Sequence, residues 1–111
     1  MKKRGILNAQ LSYLLAALGH KDLFMIGDAG MPIPEGVEVV DLILTAGVPT
    51  FKQVMDAILD EVQVEGYYLA HEIKEFNPEL EEYIKSGLPE AEVEYMPHED
   101  LKKFSSKCRF A

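Results

Sequence analysis

Cysteine is nearly absent from this chain: Cys108 is the only one in 111 residues. A lone thiol can form no internal disulfide, and a zinc site built on paired cysteines has no second ligand. A reducing, cytoplasmic setting is the simpler expectation. Positive charge is scarce as well, with 11 lysines and arginines against 19 aspartates and glutamates and a formal net charge of -8. Nucleic acids and anionic membrane surfaces are bound by basic patches that neutralise phosphate, so neither is an expected partner. Long hydrophobic runs are missing too, and nothing approaches the ~18 consecutive apolar residues of a membrane span. Lys2, Lys3 and Arg4 ahead of a leucine-rich stretch imitate a secretion signal, but Asn8, Gln10 and Ser12 interrupt it. That stretch reads as an amphipathic helix instead.

Two further absences narrow the chemistry. The three histidines, His20, His71 and His98, show no H-x-H or H-x-x-x-H spacing, so no metal is expected. Gly27-Asp28-Ala29-Gly30 has neither the GxGxxG frame of a dinucleotide site nor the Lys-Ser/Thr that completes a phosphate loop.

What remains is a 48% hydrophobic chain, enough for a single domain over 1–111 with one modest core. Leu11, Leu14, Leu15 and Leu18 fall on one helix face, with Asn8 placed to cap its start and Gly19 to end it. Leu23–Ile26 and Val37–Leu44 read as strands, and the Thr45-Ala46-Gly47-Val48-Pro49 turn leads into a second helix, traced by Phe51, Val54, Met55, Ile58, Leu59 and Val62. A third strand is expected over Val64–Leu69 and a polar helix from near Ala70. Asn77-Pro78 then restarts a helix that Gly87 ends. Val93–Met96 is the fourth expected strand, and Pro97-His98-Glu99-Asp100 opens the last helix with its acidic residues at the favourable end. This order predicts an α/β fold: three layers, α/β/α, around a mostly parallel central sheet.

The candidate chemistry gathers at the ends of these elements. The apolar run Leu23-Phe24-Met25-Ile26 leads into Asp28 and a Gly/Pro-stiffened loop, Gly30-Met31-Pro32-Ile33-Pro34. A carboxylate held at a strand's end lies where α/β proteins place their sites. Gly30 is expected to supply a positive φ. His20 follows the expected C-terminal end of the first helix and His98 opens the last, opposite helix ends that suit a division of acid and base work. The plain reading of all three residues is as exposed helix-end or turn groups. Tyr67, Tyr68 and Tyr83 fit a core edge or subunit contact better than a stacking platform, and His71 belongs to a glutamate-rich exposed helix.

Taken together, Gly5-Ile6-Leu7-Asn8, Leu18-Gly19-His20-Lys21-Asp22, Asp28-Ala29-Gly30-Met31-Pro32-Ile33-Pro34, Gly47-Val48-Pro49, Glu65, Glu72-Ile73-Lys74 with Asn77-Pro78, and His98-Glu99 resemble the D-ribose pyranases, the RbsD-type sugar isomerases. The likeness runs along essentially the whole chain in order. The related fucose mutarotases tend to carry Asn where Gly30 stands, so the ribose branch is the more similar one.

The resemblance implies an RbsD-like fold and a cofactor-free exchange of the pyranose and furanose rings of D-ribose. It implies His20 as the acid/base residue and Asp28 and His98 as sugar ligands. Lys102, one helical turn beyond His98, is a further expected polar contact. It also implies homo-oligomeric rings, typically decamers of two stacked pentamers, with sites between neighbouring subunits. Pyranases continue past the segment like Lys102–Ala111 into a strand with an arginine-threonine/serine-glycine-glutamate run and a tyrosine-alanine-asparagine motif. A chain without that strand is expected to be a truncated pyranase. The alternatives are a non-catalytic ribose-binding or assembly remnant, or a mutarotase acting on fucose or another sugar.

Overall fold

Two cap-and-helix sequences organise the first part of the chain, and a parallel strand pair organises the second. The computed structural model describes residues 1–27 and 33–108. The chain forms two units, one from Met1–Val62 with the segment beginning at Ser105, the other from Gln63–Phe104.

In the first unit, α1 (Ala9–Ala16) starts where the Asn8 side chain accepts the Leu11 N–H at 2.8 Å. This satisfies one of the amides that a helix start leaves without a partner. The second helix, α2 (Phe51–Leu59), starts at Thr50 with a full capping box. The Thr50 hydroxyl accepts the Gln53 N–H, and the Gln53 side chain accepts the Thr50 N–H. Leu11 and Leu15 of α1 meet Ile58 of α2 and Ile6 in one buried cluster, against which Leu14, Leu18, Val54 and Val62 pack. Ile6 is held in place by its own backbone. Its N–H donates to Glu61 at 3.0 Å and its carbonyl accepts from Lys2 Nζ at 2.8 Å.

The helix expected to run to Gly19 ends at Ala16 with Ala17 as its C-cap. Leu18 still packs on the cluster from outside it. The strands expected over Leu23–Ile26 and Val37–Leu44 are not regular strands; these segments carry only single bridges at Phe24 and Glu38. Their alternation is nevertheless that of extended chain, because Phe24 and Ile26, and likewise Val40 and Leu42, are the residues that reach the cluster. A period of two requires only an extended backbone, whereas a strand requires a hydrogen-bonded neighbour. The Thr45–Val48 segment closes as a tight turn before α2, with Gly47 at φ +75 as the third residue, a position where a type II turn needs positive φ.

The second unit is a small three-layer sandwich. Strands β1 (Gly66–Ala70) and β2 (Glu92–Met96) pair in parallel, Gly66 opposite Glu92 and Ala70 opposite Met96. Between them in sequence lie α3 (Ile73–Phe76) and α4 (Pro78–Gly87); α5 (His98–Phe104) follows β2. Asn77 caps α4, accepting the Leu80 N–H, and Pro78 occupies the first turn. Side chains alternate across the sheet, so Tyr67, Leu69, Val93 and Tyr95 share one face and Tyr68 lies on the other. On the first face, Tyr95 donates its hydroxyl proton to Glu81 of α4. On the second, the Tyr68 ring meets Phe104 of α5 with centroids 4.8 Å apart. Helix, parallel strands and helix are therefore stacked in the order the α/β reading expects.

Strand β1 lies later than the expected Val64–Leu69, since pairing begins where the Glu92 N–H donates to the Glu65 carbonyl and continues through Ala70. The polar helix expected from Ala70 begins at Ile73 for the same reason. Among the described residues, no helix is long and apolar enough to cross a membrane.

Candidate functional site

Both strands of a parallel pair end on the same side, and the loops that follow them carry chemistry in α/β folds. Here β1 is followed by His71-Glu72 and β2 by Pro97-His98. The His71 N–H donates to the Met96 carbonyl at 2.8 Å, which carries the ladder one step past β1 and holds the two loops side by side.

The start of α5 is capped from outside the helix. Pro97 accepts the first helical bond, from Leu101, but proline has no side-chain oxygen with which to cap. The Glu72 carboxylate does so, accepting the His98 N–H on both oxygens at 3.0 and 3.1 Å. This bond holds the Glu72 carboxyl below its ordinary value of 4.5. Its own backbone N–H and the charges of His98 and His71 act in the same direction, against a smaller opposing effect of desolvation. Lys102, four positions along α5 from His98 and therefore on a neighbouring part of the same helix surface, has its ammonium 3.6 Å from Glu99.

The opposite face of the pair carries a second polar group, centred on Tyr95. The His71 ring stacks on it at 5.8 Å, and the Lys74 ammonium sits 4.2 Å from its centroid. Lys85 approaches the same phenol and lies 3.7 Å from Glu81; contact with Tyr95 is the main cause of its raised pKa. Desolvation, with the neighbouring Tyr95 phenol, raises that of Tyr67. This group ties α4 to the sheet, so His71 serves packing on the α4 side while Glu72 serves the α5 side.

His20 belongs to the first unit. It is exposed, in a turn separated from the end of α1 by Ala17, Leu18 and Gly19. That position corrects the expectation of a helix end directly beside it. The turn is closed by reciprocal bonds: the Gly19 N–H donates to the Asp22 carboxylate at 2.7 Å, and the Asp22 N–H donates to the Gly19 carbonyl at 3.2 Å. Lys21, beside His20, has φ 74, a left-handed conformation that costs a non-glycine residue about 1–3 kcal/mol. A strained, doubly bonded turn thus carries the histidine. Asp28, and the positive φ expected at Gly30, lie outside the described residues.

The first unit also holds a cavity of about 660 Å³ between α2 and the extended segments, lined by Phe24, Ile26, Val40, Leu42, Val54 and Ile58 among others. Most of its described lining is apolar, with Asp41 and Thr50 among the polar exceptions. Among the described residues, no three His, Cys, Asp or Glu side chains converge as a metal site requires. The sequence reading left Glu72 out of the site. Its available signal was Pro97, a helix-opening residue unable to cap itself, for which some other carboxylate had to be found.

The chain belongs to the RbsD / FucU transport protein family, which matches it over residues 1–111. Its relatives include the D-ribose pyranase of Limosilactobacillus fermentum, 49% identical over 107 residues that make up 96% of this chain and 82% of the relative. That of Bacillus velezensis is 45% identical over 109 residues, 98% of this chain and 83% of the relative. The structure of Bacillus subtilis RbsD complexed with D-ribose superposes with a TM-score of 0.93 at 40% identity, covering 99% of this chain and 84% of that one. The family resemblance read from the L-G-H and D-A-G-x-P-I-P segments and the α/β fold class both hold.

Proposed function

We propose that this chain is a D-ribose pyranase, which interconverts the six- and five-membered rings of D-ribose. The observation that carries the reading is the likeness to the ribose-bound Bacillus subtilis RbsD across 99% of the chain. The reading takes residues 1–111 as one RbsD-like domain, on the family match over that range.

The chemistry needs only proton transfers. Opening a cyclic hemiacetal removes the proton of the anomeric hydroxyl and adds one to the ring oxygen. Closure through a different hydroxyl then changes the ring size. A histidine exchanges protons in both directions near neutral pH, and a well-placed acid/base group contributes ~10²–10⁴-fold. In this reading His20 moves the proton, presented by its strained turn. Asp28, His98 and Lys102 hydrogen-bond sugar hydroxyls, and no metal or organic cofactor takes part. The working form is a cytoplasmic homo-oligomer built of pentameric rings, in which neighbouring subunits complete each site.

Saturation-transfer NMR of ribose tests the reading. Ring exchange is expected to be faster with protein than without it and to persist after exhaustive chelation. His20→Ala is expected to remove ~10²–10⁴-fold of the acceleration while the chain stays folded. Unchanged exchange in that variant rejects the role of His20, and the absence of any acceleration by the unmutated chain rejects the activity. Light scattering reads the assembly; a monomer at micromolar concentration rejects the ring.

A further inference from the structure

The ribose reading gives His98 a sugar-binding role but does not say what fixes its position. His98 opens α5 directly after β2, and a helix start is an intrinsically loose place because its first amides lack intrahelical partners. The preceding residue, Pro97, offers no side-chain acceptor. Among the described residues, the side chain that accepts the His98 N–H is that of Glu72, just past the end of β1, with both carboxylate oxygens at 3.0 and 3.1 Å. A charged acceptor makes a stronger bond than a neutral one, and two oxygens on one N–H resist a sideways shift of the helix start. The contact also spans 26 positions of sequence, so it joins the carboxyl ends of both strands through one residue pair.

We infer that Glu72 is a positioning residue for the sugar-binding side of α5. It anchors His98, and through the rigid helix it also sets where Lys102 presents its ammonium. This inference rests on the pyranase reading for what α5 binds, but not for the anchoring itself. Glu72 makes no contact with the reacting atoms in this account. Its loss therefore weakens sugar binding rather than proton transfer.

Two measurements on the full chain test it separately. The first needs no sugar. The His98 amide resonance, followed by ¹⁵N–¹H NMR through acid pH, is expected to titrate with a midpoint below the ordinary glutamate value of 4.5, reporting the carboxylate it donates to. Glu72→Gln, which still offers an oxygen acceptor, is expected to abolish that titration while leaving the amide shifted downfield. Glu72→Ala is expected to lose both features. The second uses ribose exchange kinetics. Glu72→Ala is expected to raise KM about threefold to tenfold, the factor corresponding to one ordinary hydrogen bond, with kcat within about twofold, and Glu72→Gln to restore most of KM.

An invariant His98 amide in the unmutated chain, a wild-type KM in Glu72→Ala, or an equal loss of kcat in both variants overturns the inference. Should the unmutated chain fail to accelerate ring exchange, the pyranase reading falls by itself, and the amide titration still decides whether Glu72 anchors His98.

Discussion

The two units of this chain hold themselves together by different means. In the first, Ile6, Leu11, Leu15 and Ile58 form a buried apolar cluster, and extended segments lean on it without forming a sheet. In the second, Ile84 is the only buried hydrophobic residue among those described, and order comes from a parallel ladder and charged hydrogen bonds: Tyr95 to Glu81, and His98 to Glu72. Apolar burial is non-directional and tolerates irregular backbone, whereas hydrogen bonds demand register. In both units, however, the turn or helix start that carries a histidine is held by a carboxylate: Asp22 accepts the Gly19 N–H beside His20, and Glu72 accepts that of His98.

The contrast can be broken by mutation. Ile58→Ala is expected to have the largest effect on stability, about 2–5 kcal/mol, because the side chain is 2% exposed and the cluster cannot close over the gap. Urea unfolding measures it. Tyr95→Phe in the second unit removes only a hydroxyl bonded to a partly exposed carboxylate and is expected to cost about 1–2 kcal/mol by the same assay. An equal or larger loss from Tyr95→Phe abolishes the distinction between the units.

The two asparagine caps sharpen it further. Asn8→Ala is expected to cost about 1 kcal/mol, since the bond to the Leu11 N–H is short and partly buried. Asn77→Ala, whose bond to the Leu80 N–H is 3.1 Å and exposed, is expected to cost about half as much. The reverse order in thermal melts contradicts the reading that the first unit depends more on its packed helix.

The smallest expected effect is a pH dependence confined to the second unit. Glu72 has its folded-state pKa lowered, so the stability it contributes is fully present above the ordinary value of 4.5. That contribution is lost as the pH falls through the lower folded value. The protection of amides at the start of α5, measured relative to their intrinsic exchange rates at each pH, is expected to fall on acidification through that range, with the protection of α1 unchanged. An equal loss of protection in α1 removes the assignment to Glu72.

Much of this architecture was legible beforehand. Asn8 and Asn77-Pro78 marked two helix starts because capping is local: the side chain and the amide it satisfies lie three residues apart. The leucine and isoleucine spacing identified the faces of α1 and α2 that are buried, since helical period is a property of the chain alone. The segments around His20 and Asp28 carried the family resemblance, which the comparisons uphold.

Other features depended on partners distant in sequence. Whether Val37–Leu44 became a strand turned on a hydrogen-bonded neighbour, and no pattern within the segment encodes one. The start of β1 was decided by where Glu92 meets Glu65, and the end of α1 lay before the glycine that looked like its stop. Glu72 gave no local sign of serving His98, because the two meet only when β1 and β2 lie parallel and bring their carboxyl ends together. Composition, caps and periodicity are short-range and can be read along the chain. Pairing, register and the anchoring of a helix start arise from long-range closure and exist only once the chain has folded.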